Sequence, residues 1–171
     1  MSYDDNEHLA VFQLRLEELQ QRYTFGEAAM RLALEQAELG MREGEVPVGA
    51  VMMAGRRVIA VAHNLPASLR DPTAHAEILA IRDAAAQLGD YRLVDTSIFV
   101  TIEPCVMCIG ALLNARVAQV YYGARDEKAG ALGSVYDIGR DGRLNHRVEV
   151  YGGILSAECA NLLAEFFKSR R

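Results

Sequence analysis

A chain of 171 residues, about half apolar and a quarter charged, is long enough to bury the core of one domain. Its net charge of −5 argues against broad nonspecific nucleic-acid binding, which needs a basic surface, but leaves room for a local basic patch. Three cysteines are too few for a disulfide framework, and no apolar run approaches the roughly 18 residues of a membrane span.

The polar, acidic start from Ser2 to Glu7 lacks the basic end and apolar block of an export signal, so a cytoplasmic protein without membrane contact is expected. Leu9, Phe12, Leu16, Leu19 and Tyr23 recur at three- and four-residue intervals and predict an amphipathic packing helix. A second helix is expected from Phe25 to Leu39, its end bracketed by Gly40 and Gly44. Residues 46–53 and 57–62, joined at Ala54-Gly55-Arg56, read as a β-hairpin. Gly49 inside the first strand marks a bulge or a close approach of ligand to backbone, the bulge being the simpler reading. After a loop at 64–71 a helix is expected over 74–88, capped by Asp71 or Thr73. A strand at Ser97–Ile102 runs into a helix from Pro104 to about Ala115, with Pro104 at its first position. A strand at 117–122, an irregular glycine-rich stretch at 123–142 and a short strand at 146–151 follow. Last comes a helix capped by Ser156 with Cys159, Leu162, Leu163, Phe166 and Phe167 on one face. This order predicts an α/β fold whose partly parallel sheet is covered by helices on both sides.

The chemistry concentrates in Glu103-Pro104-Cys105-Val106-Met107-Cys108. Cys105 and Cys108 share the first turn of a helix, where the dipole favours thiolates, and a Cys pair without an export signal reads as a metal or redox site. Of the four histidines, His8 lies in the polar start, while His63 and His146 sit at strand ends. His75 sits at a helix mouth. Taken alone it is a capping or packing residue; beside a second helix mouth bearing Cys-x-x-Cys it becomes a third ligand. Three ligands leave the fourth tetrahedral place to water, the pattern of a catalytic zinc site, where that water becomes acidic enough to react. Glu77 is placed to move protons, although a first-turn carboxylate is also favoured there by the dipole alone. Glu103 is the competing carboxylate and reads as a helix-entry residue. Cys159 reads as core.

His75-Ala76-Glu77 followed by Pro104-Cys105-Val106-Met107-Cys108 resembles the H-x-E…P-C-x-x-C signature of the zinc-dependent nucleobase deaminases. From about Phe25 to Arg171, segments such as Val46-Pro47-Val48-Gly49-Ala50, Asp71-Pro72-Thr73-Ala74, Gly123-Ala124-Arg125-Asp126 and Asn145-His146-Arg147 are similar to the bacterial tRNA-specific adenosine deaminases. The resemblance implies a three-layer α/β/α fold with a five-stranded mixed sheet, cytidine deaminase-like, usually as a homodimer. It also implies hydrolysis of adenosine to inosine at the first (wobble) anticodon position of tRNA. Residues 1–24 would be an N-terminal helical extension and 25–171 a single zinc-dependent deaminase domain.

On the same resemblance, His75, Cys105 and Cys108 hold one Zn2+ per subunit and Glu77 shuttles protons. Asn64 contacts the flipped nucleoside, and the backbone of Ala76 and of Pro104 with Cys105 helps hold substrate. Arg125, Asp126, Lys128, Phe167, Lys168, Arg170 and Arg171 meet the tRNA anticodon loop, although a basic helix end also complements the dipole by itself. The signature does not separate tRNA from a free nucleobase or nucleoside (cytosine, cytidine or guanine) as substrate. A noncatalytic zinc-stabilised RNA-binding module would leave Glu77 without a use. A redox Cys-x-x-Cys protein would leave His75-Ala76-Glu77 unexplained.

Overall fold

The structure is a computed structural model that describes residues 3–170. Helices α1 (Tyr3–Gln20) and α2 (Phe25–Arg42) precede a hairpin of β1 (Gly49–Ala54) and β2 (Arg57–His63). A short helix α3 (Pro66–Leu69) leads to α4 (Ala76–Leu88), β3 (Thr96–Ile102), α5 (Val106–Asn114) and β4 (Gln119–Ala124). Strand β5 (Glu149–Gly152) and helix α6 (Ser156–Lys168) close the chain. The strands form one sheet in the order β2-β1-β3-β4-β5. β1 is antiparallel to both β2 and β3, whereas β3, β4 and β5 run parallel. The expected three-layer α/β/α architecture with a five-stranded mixed sheet is the one observed.

Alternation along the strands sends neighbouring side chains to opposite faces. Ala50, Met52, Ile98, Val100 and Val120 pack with Ala76, Ala80 and Ala84 of α4 and Ile109 and Leu112 of α5. Val51, Met53 and Phe99 pack on the other side with Leu16 and Leu19 of α1, Leu32 and Ala33 of α2, and Cys159 of α6. Both faces are covered, so β3 is buried almost throughout. Phe99, Tyr121 and Tyr151 stack across β3, β4 and β5, with ring centroids 4.4 and 4.7 Å apart.

The predicted stripe on α1 packs as expected: Leu16 and Leu19 are buried, and Leu9, Phe12 and Tyr23 lean on the same cluster. α1 also covers an edge strand. The Gln13 Oε1 accepts the Val58 N–H of β2 at 3.0 Å, satisfying an edge donor that would otherwise be free to template pairing. α2 begins with a capping box, in which Thr24 Oγ1 accepts from the Glu27 N–H and Glu27 accepts from the Thr24 N–H.

Several local expectations are corrected. The bulge lies between Met52 and Met53, not at Gly49. Gly49 is needed because a Cβ there would overlap the Ala33 carbonyl oxygen of α2. Gly40 lies inside α2, and only Gly44, at φ 86°, lies beyond its end. The loop at 64–71 contains α3. Neither Asp71 nor Thr73 caps α4: His75 occupies the N-cap, and Asp71 instead accepts from the Thr73 N–H and hydroxyl. Pro104 precedes α5, whose N-cap is Cys105. Leu155, at φ 52°, is the N-cap of α6, so Ser156 lies within the helix. The last strand begins at Glu149, later than expected. Phe167 is exposed, off the buried face that holds Cys159 and Phe166.

Candidate active and metal site

Two helix mouths meet where β3 ends. His75 is the extended residue just ahead of α4, with φ −72° and ψ 151°, and Cys105 plays the same part for α5, with φ −77° and ψ 173°. Cys108 lies one turn into α5 and is fully buried. His75 Nδ1 is 3.8 Å from Cys105 Sγ and 3.6 Å from Cys108 Sγ. Zinc bound tetrahedrally at about 2.3 Å from sulfur and 2.0 Å from nitrogen separates its sulfur and nitrogen ligands by roughly 3.6 Å. The three side chains fit such an ion as they stand. Their ligand atoms all lie within 4.8 Å of one another, and among the described residues this group has these three members. A tetrahedral ion held by these three would keep its fourth position for another ligand.

The extended backbone of His75 resolves a difficulty of spacing. Residues two apart on one helix diverge, but His75 stands outside α4 and Glu77 inside it. Glu77 is buried, and the Cys108 side chain bonds to it. Burial pushes its carboxyl above the usual carboxylate range, against the pull of a backbone bond and of His75. Cys105 is drawn down to about 3, first by its hydrogen bond from Cys108, with burial opposing and His75 assisting. The same bond, followed by burial, raises Cys108. His75 is raised, chiefly by its bond to Cys105. With a divalent cation bound, both sulfurs would be thiolates.

Asn64 is buried at the end of β2, and its Oδ1 accepts the Ala76 N–H at 2.8 Å. Two of the expected substrate contacts, Asn64 and Ala76, are therefore bonded to each other at the mouth of α4. Pro104 is buried, and its carbonyl accepts the Ala131 N–H at 2.9 Å, while Cys105 bridges to Gly130. These bonds tie the segment after β4 to the cysteine turn. That segment carries exposed Arg125, which bonds Glu127 and the Gly133 carbonyl. Asp126 is half-buried, its carboxylate closing a turn on the N–H groups of Lys128 and Ala129. The Lys128 side chain is exposed.

At the C-terminal end Phe167 is half exposed and Lys168 exposed. Arg170 is turned back: it donates to the Gly44 carbonyl and lies 4.1 Å over the Phe166 ring. Arg171 lies outside the described residues.

Glu103 was missed as more than a helix-entry residue. It is 1% exposed, and its carboxylate accepts from the N–H groups of Leu132 (2.8 Å), Ser134 (3.1 Å) and Asp126 (3.3 Å) and from the Ser134 hydroxyl. Burial alone would raise it, but these donors hold it below the ordinary carboxylate range. No local pattern announces this, since every partner lies more than twenty positions downstream. The buried Glu45 carboxylate, which accepts from the N–H groups of Ala67 and Ser68 more than twenty positions downstream, has no local signature either.

A model of the MafB19-like deaminase family matches residues 26–171. The chain is 44% identical over 151 residues to a tRNA-specific adenosine deaminase of Haemophilus influenzae, covering 88% of this chain and 87% of that protein. It is 40% identical over 148 residues to one of Bacillus subtilis, covering 86% and 92%. Among solved structures it resembles a tRNA:A34 deaminase studied for A-to-I editing at the wobble position, with TM-score 0.76 and 42% identity over 78% of this chain and 97% of that one. A guanine deaminase of Nitrosomonas europaea is similar at TM-score 0.69 and 27% identity, covering 82% and 83%.

Proposed function

The chain belongs to the MafB19-like deaminase family, and from that premise we propose that its deaminase unit spans residues 25–171 and uses zinc to act on the wobble adenosine of tRNA. It hydrolyses adenosine in tRNA to inosine, as the names of relatives at 40–45% identity indicate. The observation that carries the catalytic reading is the three-ligand cluster with a buried carboxyl of raised pKa beside it.

His75, Cys105 and Cys108 would hold one Zn2+ per subunit, which supplies a water acidic enough to attack at neutral pH. The remaining work falls to the chain. In the reaction the C6 amino group of adenine leaves as ammonia, and an oxygen from water takes its place. Glu77 takes one proton from that water and passes it to the ring nitrogen, then takes the second from the oxygen added at C6 and passes it to the departing amine. Burial suits it to this, because it raises the carboxyl above the usual carboxylate range and so strengthens its hold on a proton in transit. Asn64 holds the Ala76 amide and offers its own amide group to the nucleoside. Pro104, fixed through its carbonyl, walls the base. Arg125, Asp126, Lys128, Phe167 and Arg170 surround the anticodon loop, Arg170 after release from Gly44.

The partner is the anticodon loop of tRNA, in a cytoplasmic protein. No helix among the described residues is long and apolar enough to cross a membrane. A homodimer is supported by an apolar groove between α4 and α5, lined by Ile78, Ile81, Val106, Met107 and Ala111, which a second copy would cover. Residues 1–24 are then an extension whose α1 braces α2 and the β2 edge.

The test is incubation with a tRNA carrying adenosine at the first anticodon position and, in parallel, with free guanine, cytosine and cytidine. Inosine in the tRNA is expected. Turnover of a free base or nucleoside with none in the tRNA would overturn the substrate assignment.

A further inference from the structure

Helix α3 has a defect in its own sequence. Pro66 begins it and Leu65 is its N-cap, so no side-chain oxygen of the cap accepts the first-turn N–H groups. The missing acceptor comes from twenty residues upstream. Glu45 Oε1 accepts the Ser68 N–H and the Ser68 hydroxyl, each at 2.7 Å, and Oε2 accepts the Ala67 N–H at 3.3 Å. Glu45 is 4% exposed, yet Ala67, Ser68, Leu69 and Arg70 above it are all exposed. The carboxylate thus lies beneath a turn that projects into solvent and ends on Arg70 in the left-handed region, at φ 52°.

The neighbours of Glu45 hold two other segments. Glu43 Oε2 lies 3.0 Å from Nε2 of His63, the residue before Asn64. The Gly44 carbonyl accepts from Arg170. Three consecutive residues therefore bind the end of β2, the C-terminal tail and the α3 turn. Asn64 begins the α3 segment, with its N–H on the Val48 carbonyl and its Oδ1 on the Ala76 N–H. Fixing α3 fixes where exposed Leu69 and Arg70 stand relative to Asn64 and the mouth of α4.

We propose that Glu45 is a positioning residue for substrate RNA: it stands in for the absent cap of α3 and presents Leu69 and Arg70 to the nucleotides flanking the target adenosine. This rests on the tRNA adenosine deaminase reading above. A turn ordered in advance does not have to be ordered at binding, so the carboxylate acts on affinity and leaves the chemical step alone.

The test measures KM and kcat on an anticodon stem-loop RNA, with melting temperature and metal content, for Glu45→Leu, Glu45→Gln and Ser68→Ala. Glu45→Leu removes both acceptors and should raise KM by about tenfold, the loss of charged hydrogen bonds, with kcat and bound metal close to wild type. Glu45→Gln keeps one oxygen facing both Ser68 donors and should restore most of the affinity. Ser68→Ala should raise KM modestly in the wild-type background and not at all on top of Glu45→Leu. An unchanged KM in Glu45→Leu, a loss confined to kcat, or an equal effect of Ser68→Ala in both backgrounds overturns the proposal. The last would mean that Ser68 meets RNA directly. Should Glu45→Leu not fold, Glu45→Asp, whose shorter arm withdraws the oxygens from Ser68, takes its place with the same outcomes. A wild-type protein that makes no inosine in the stem-loop would instead defeat the substrate reading itself.

Discussion

Glu77 and Glu103 flank the same cysteine turn, and each is almost wholly buried. They are pushed in opposite directions. Glu77 is raised by burial that few hydrogen bonds offset, whereas Glu103 is lowered because three amides and a hydroxyl converge on it. A buried carboxylate surrounded by donors is a fixed anion that organises backbone; one left short of donors keeps a proton within reach of chemistry. Burial therefore does not tell a carboxyl proposed to carry protons from one that organises backbone, but the count of donors does.

The sharpest way to break this contrast is to remove the carboxylates one at a time. Glu77→Gln should lower single-turnover inosine formation by about 10²–10⁴, the range for a lost general acid–base. Metal content should stay at the wild-type level, and melting temperature should not fall. Activity near wild type would end the assignment of Glu77 as proton carrier.

Glu103→Ala should act the other way round. It strands the N–H groups of Leu132 and Ser134 and the Ser134 hydroxyl, at a cost of about 3 kcal/mol or more. For a chain of this size that is roughly 6–12 °C in melting temperature. Turnover at low temperature should survive better than in Glu77→Gln. An unshifted melting temperature with abolished turnover would exchange the roles of the two residues.

The contrast also shows what could be read from sequence. The candidate metal ligands and Glu77 sit in short contiguous motifs, because two helix mouths deliver them, and a helix mouth has local signatures. That helices would cover both faces of a partly parallel sheet followed from the alternation of strand and helix patterns along the chain. The duties of Glu103 and Glu45 could not be read, since their partners are backbone N–H groups brought close only by tertiary folding. The caps misled for a related reason. Oxygen-bearing residues stand near the starts of α4 and α6, but His75 and Leu155 take the N-cap positions because the chain must turn there toward the site and the sheet. The need for Gly49 lies in α2, whose backbone passes so close that no Cβ fits.

A smaller perturbation tests the packing around Glu103 while leaving its charge in place. A Cβ added at Gly130 would come within 2.6 Å of both the Asp126 carbonyl oxygen and Glu103 Oε2. Gly130→Ala should therefore destabilise by about 1–3 kcal/mol, the usual range for overpacking, as read by chemical denaturation, with metal retained. A neutral result would mean that the 126–134 turn is not held tightly on Glu103.

The mildest expected effect lies with the third buried glutamate, which the contrast places beside Glu103. Burial raises Glu45, but the Ser68 amide and hydroxyl and the Ala67 amide outweigh it, and the net shift is downward. A carboxyl whose pKa is depressed in the folded state adds stability that is complete above its unfolded value of about 4.3. That contribution fades as pH falls through the lower folded value. Glu45→Gln, which is neutral at every pH, supplies the reference. The gap in melting temperature between wild type and Glu45→Gln should be constant near neutrality and shrink toward zero as pH falls below about 4. Acid effects on the His75, Cys105 and Cys108 cluster act on both chains and cancel in the difference. A gap that widens on acidification would mean that Glu45 is protonated in the folded protein, which would place it with Glu77 and leave α3 without its acceptor.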